Sequence, residues 1–127
     1  MKKLQVVVFL VIISIISLGM KLYLVEFSLF PDEDAIGYIL RSISITNGDF
    51  SALSAKTMGW SIFLSPFVSF IDSENFIDYA NTARLVSLSI STGSIFMMYK
   101  LARKFFPEKY SIVAGCLFAF EPHLNYN

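Results

Sequence analysis

Phe30-Pro-Asp-Glu-Asp34 places three carboxylates side by side just after a long apolar segment. Acids in such a position are costly unless they are solvated, paired or used. Together they offer a base toward an acceptor hydroxyl, or hard oxygen ligands for a divalent cation. The same acids suit the first turn of a helix, whose dipole favours negative charge. The residue types alone leave both readings open. Lys56 is the only lysine between residues 31 and 80 and stands just before Thr57-Met-Gly-Trp60. An ammonium there can bind a phosphate as a point charge, or anchor an interfacial helix. His123, in Glu121-Pro-His-Leu-Asn-Tyr126, is a further polar candidate, able to bond a headgroup or a backbone carbonyl.

Apolar segments must position these groups. The first follows Lys2 and Lys3 and carries no charge from Leu4 to Met20. About 20 apolar residues cross a hydrocarbon core, so residues 4–25 read as a span. Lys21 would snorkel to the headgroups and Tyr23 would sit at the interface. A cleaved signal peptide has an apolar stretch of about 7–15 residues and a small-x-small site. This stretch is longer and no Ala-x-Ala follows, so the span is expected to remain. A second span is expected over residues 82–101. Its uncharged core holds Ser87, Ser89, Ser91, Thr92, Gly93 and Ser94, the small residues of close helix packing. A third apolar run opens at Tyr110 and continues through Phe120, and a third span is expected over residues 110–127. The turn at residues 100–109 carries Lys100, Arg103, Lys104 and Lys109 against Glu108. Short basic loops stay cytoplasmic, so the N-terminus and this turn are inside and residues 31–80 outside.

That outer loop has seven acids and two bases, yet it is not a solvated tail. Ile36, Ile39, Leu40 and Ile43 follow the spacing of a one-faced helix. Asp32 suits its N-cap, Glu33 and Asp34 its first turn, and Asn47-Gly48 its stop. Residues 57–71 form a second apolar stretch, with Trp60 near one end and Pro66 inside. It is short for a crossing. An interfacial or re-entrant helix is expected, because a crossing here would move the basic turn to the opposite side from Lys2 and Lys3. The fold class that follows is an all-α membrane protein of about three transmembrane helices. Its long first outer loop carries amphipathic interfacial helices.

Composition supports that class. The apolar fraction is 55% and the charged fraction 16%, with thirteen Phe. Soluble domains are about a quarter charged, and disordered chains are poor in aromatics. Ten bases balance ten acids without a basic run, so no nucleic-acid partner is expected. One Cys, Cys116, and one His exclude an internal disulfide and a His/Cys zinc site. There is no Gly-rich phosphate loop, no Gly-x-Ser-x-Gly elbow and no His-Glu-x-x-His.

The features have an order. A span leads to Pro31-Asp-Glu33, then to a helix with Tyr38 and Asn47-Gly48-Asp49. Lys56-Thr-Met-Gly-Trp-Ser-Ile-Phe-Leu-Ser-Pro66, a Ser-rich span and a basic turn follow. Phe118-Ala-Phe-Glu-Pro-His-Leu-Asn-Tyr126 ends the series. This resembles the N-terminal part of a GT-C type membrane glycosyltransferase. The nearest group is that of the protein O-mannosyltransferases, aminoarabinose transferases and dolichyl-phosphate-mannose-dependent enzymes. The resemblance covers essentially the whole chain and rests on the order of the features rather than on one motif.

The resemblance implies transfer of a hexose or pentose from a polyprenyl-phosphate-linked donor. The acceptor would be a protein, lipid or glycan on the outer face of the membrane. It implies catalytic roles for Asp32, Glu33 and Asp34, with Asp32 in the leading position and a candidate ligand for a divalent cation. Lys56, Tyr38 and His123 become substrate-binding candidates. Asp34 stands where many relatives have a small residue, and Thr57 where a branch of them has proline. Which aspartate is essential is therefore open. Such enzymes have around a dozen spans, so residues 1–127 are expected to be one N-terminal fragment of a polytopic domain, inactive alone. A prokaryotic plasma membrane is the expected location. The alternatives are a small non-catalytic membrane subunit, whose carboxylates would matter only for stability, and a transporter fragment. The latter calls for charges at mid-membrane, and residues 85–99 have none.

Overall fold

The computed structural model describes residues 3–51 and 58–121. All regular structure among them is helical: α1 (Lys3–Leu24), α2 (Glu33–Thr46), α3 (Met58–Val68), α4 (Phe76–Ala102) and α5 (Glu108–Ala119). The chain divides into two units. One comprises residues 1–26 and 87–127, the other residues 27–86.

Two helices, α1 and α4, are long and apolar enough to cross a membrane. With 22 residues, α1 is about 33 Å long at 1.5 Å per residue, against a hydrocarbon core of about 30 Å. With 27 residues, α4 reaches about 40 Å. The 11 residues of α3 and 12 of α5 give about 16 and 18 Å, each too short to cross alone. Of the expected third span at 110–127, α5 accounts for the part up to Ala119, and residues 122–127 lie outside the described residues.

The first unit buries polar side chains and exposes aliphatic ones. On α1, Val6, Leu10, Ile13, Ser14, Ser17 and Lys21 are buried, while Leu4, Val7, Val8, Val11, Ile12, Ile15 and Ile16 face outward. Serine hydroxyls buried among aliphatic groups, with further aliphatic groups outside, suit a hydrocarbon solvent, where packing and interhelical hydrogen bonds replace the hydrophobic drive. The Ser17 hydroxyl donates to the Ala119 carbonyl at 2.8 Å. Ile13, Ile95 and Ala119 form the core of this unit. Three helices meet at Gly115, where a Cβ would lie 3.6 Å from Leu10 Cδ2 and 3.8 Å from Tyr99 Cβ.

Lys21 departs from the snorkelling expectation. It is 1% exposed, and its ammonium donates to Ser91 Oγ of α4 at 2.7 Å. It lies on the same stripe as Ser14 and Ser17, which faces the other helices of its unit, and so it points inward.

The second unit is built from α2, α3 and the start of α4. Ile39, Leu64, Val68 and Ala80 form its core, with Ile43, Phe76, Tyr79, Ala83 and Val86 packed around them. Between α2 and α3 runs a seam of hydroxyls. Ser42 Oγ lies 2.8 Å from the Tyr38 carbonyl and 3.1 Å from that of Ser61. The Ser61 hydroxyl donates back to the Tyr38 carbonyl, and Thr46 reaches the Ser65 carbonyl. Such small side chains let two helices approach closely and satisfy their own polar atoms. Pro66 has no N–H for the Ile62 carbonyl four residues back, and the Ser65 hydroxyl donates to that carbonyl instead at 2.8 Å.

Candidate functional site

Local chemistry places the carboxylates. Asp32 is the N-cap of α2, with extended backbone (φ −63°, ψ 160°), and Glu33 and Asp34 occupy the first turn. The Asp32 carboxylate makes no capping hydrogen bond. All three acids are exposed, and none has a hydrogen-bond or ion-pair partner among the described residues. They are therefore free to meet a ligand. They do not converge on one point: no group of three or more His, Cys, Asp or Glu among the described residues could hold a metal ion. Among the described residues the acids do not form a cation cage.

Tyr38 lies four residues beyond Asp34 on the same face of α2 and is half-buried. Lys56 and His123 lie outside the described residues. At its other end α2 closes as a Schellman turn. The N–H of Asp49 donates to the Ser44 carbonyl and that of Gly48 to Ile45, with Gly48 at φ 79°. Just beyond, Asp49 accepts the Ser51 hydroxyl at 2.6 Å and the Ser51 N–H at 2.9 Å. These two bonds hold its carboxyl below the usual aspartate range.

Next to the cluster, α3 is uncharged. Ser61, Leu64 and Val68 are buried, while Ile62, Phe63 and Phe67 are exposed. The rings of Trp60 and Phe63 stack at 5.7 Å, and Phe67 follows Phe63 at 5.6 Å. The acidic helix is thus paired with one that presents an aromatic face.

The sequence reading passed over Arg84. It lies in the first third of α4, and its guanidinium turns back onto the segment leading to the carboxylates. Nη2 donates to the Leu29 carbonyl at 2.7 Å. Nη1 donates to Asn81 Oδ1 at 2.9 Å and to the Phe27 carbonyl at 3.4 Å. Phe30 stacks on Phe76 with ring centres 5.7 Å apart. The available signal was a cation at the head of an uncharged run, which persists there only with partners or a role. Arg84 fell inside the expected span at 82–101 but just outside the uncharged core at 85–99. The helix starts earlier because Asn75 Oδ1 accepts the Ile77 N–H at 3.0 Å, a side-chain cap.

No protein-family model, no curated protein and no solved structure matches this chain.

Proposed function

We propose that this chain is part of a polytopic membrane glycosyltransferase that takes its sugar from a polyprenyl-phosphate-linked donor. The observation that carries the reading is the state of the carboxylates. Three exposed acids crown a helix beside an uncharged helix with an aromatic face, and Asp32 is not used for capping. A purely structural N-cap would make that hydrogen bond.

In the proposed reaction the bond between sugar C1 and the phosphate oxygen breaks, and its electron pair leaves with the lipid phosphate. The acceptor oxygen bonds to C1, and its proton passes to the Asp32 carboxylate. Lys56 stabilises the departing phosphate. The aromatic face of α3 suits the membrane–water interface and would guide the lipid. The topology has the N-terminus inside, the carboxylates outside, and α5 beginning a third crossing.

The test is transfer from a labelled polyprenyl-phosphate sugar by the intact membrane protein. Asp32→Asn is expected to lower turnover by roughly 10²- to 10⁴-fold, the usual contribution of a general base, with Asp34→Asn less affected. Normal turnover in Asp32→Asn with loss in Asp34→Asn would transfer the role to Asp34. Normal turnover in both would remove the enzymatic reading.

A further inference from the structure

We infer that Arg84 is the positioning residue of the carboxylate cluster. The inference rests on the glycosyltransferase reading and adds to it a residue 52 positions downstream of Asp32.

Residues 27–31 contain no helix, and one proline, Pro31, stiffens only their end. An unsupported segment of this kind would let the start of α2 wander. Two devices prevent it. One is the stacking of Phe30 on Phe76. The other is the guanidinium, whose planar fork reaches the carbonyls of both Phe27 and Leu29 while Asn81 fixes its orientation. Arginine suits this work because its donors diverge in fixed directions. A lysine offers a single point charge on a flexible stem.

The far side of the cluster is held as well. Ile39 and Ile43 of α2 pack with Ala80 and Ala83 of α4 in one core. The start of α2 is thereby tied to α4 from the segment before it and from its own apolar face. Proton transfer demands hydrogen-bond reach in the reacting geometry, and a misplacement of about 1 Å can cost on the order of a hundredfold in rate. Arg84 thus acts on chemistry through backbone carbonyls, without touching the reacting atoms.

The experiment pairs a structural readout with a kinetic one in the intact membrane protein. Ser28, exposed between the two clamped carbonyls, is replaced by Cys and spin-labelled in a Cys116→Ser background. Label mobility is compared among Arg84, Arg84→Gln and Arg84→Lys. Without the label, kcat and the donor KM are measured for the same three proteins. Arg84→Gln is expected to raise label mobility and to lower kcat about tenfold, with donor KM within about twofold. Arg84→Lys should recover part of both. Unchanged mobility in Arg84→Gln overturns the clamp. Raised mobility with unchanged kcat overturns the positioning role. A donor KM raised tenfold at constant kcat makes Arg84 a donor-binding residue and overturns it too. Absence of transfer by the wild-type protein ends the catalytic reading, and the positioning role with it. The mobility comparison still shows separately whether Arg84 holds the segment.

Discussion

The contact between Lys21 and Ser91 makes a prediction with an uneven sign. Lys21 is 1% exposed, and its ammonium has one hydrogen-bond partner among the described residues, Ser91 Oγ at 2.7 Å. Replacing Ser91 by Ala leaves the burial in place and removes the acceptor. Hydrogen bonds to charged groups contribute about 1.5–3 kcal/mol, and an orphaned buried group loses that and more. The expected loss is about 2 kcal/mol, roughly a thirtyfold fall in the folding equilibrium, since 1.4 kcal/mol is about tenfold. Lys21→Met removes the charge and keeps an unbranched chain of similar length. Replacing a buried polar pair by apolar groups of like shape is near neutral or stabilising. The double variant removes both partners and should therefore be near neutral, with a coupling energy of at least about 2 kcal/mol from the cycle. Reversible unfolding in mixed micelles, followed by far-ultraviolet circular dichroism, measures all four proteins. Additive losses from the two single variants, or a greater loss from Lys21→Met than from Ser91→Ala, would refute an inward ammonium that depends on Ser91.

Two further predictions concern the end of α2. Gly48 stands at φ 79° in the Schellman turn, where a Cβ is strained by about 1–2 kcal/mol. Gly48→Ala should lower stability by about that much although nothing lies within 4 Å of the added carbon; an unchanged unfolding midpoint would contradict it. Asp49 is held below its usual range first by the Ser51 hydroxyl and then by the Ser51 N–H. A depressed carboxyl adds stability above its unfolded value, and that stability is lost as pH falls through the folded value. The turn should therefore loosen as pH falls through the lowered titration of Asp49. Ser51→Ala should shift the Asp49 carboxyl titration, followed by nuclear magnetic resonance, to higher pH; an unmoved titration would show that the hydroxyl contact is not maintained.

Much of the chain's one-dimensional organisation was legible. The acids at 32–34 and Asn47-Gly48 bracket α2, because helix ends are decided by groups a few residues away: caps, the dipole and the conformational freedom of glycine. The uncharged runs that became α1 and most of α4 were visible because length and apolarity are additive along a sequence. The start of α4 was misjudged by several residues. Asp78 looked like a loop charge, whereas Asn75 caps a helix that includes it.

The sequence by itself determined that the chain is helical, that its first apolar run and the run ending near residue 101 are long enough to cross a membrane, and that three carboxylates stand at the head of α2. It could not say which way a long side chain turns. Lys21 meets Ser91 across 70 positions, Ser17 meets Ala119 across 102, and Arg84 meets Leu29 across 55. Only the tertiary structure decided that the lysine faces inward, that the serines form seams, and that an arginine holds the approach to the acids. Helix boundaries depend on hydrogen bonds within one or two turns. The direction of a side chain depends on partners that folding brings near from far along the chain.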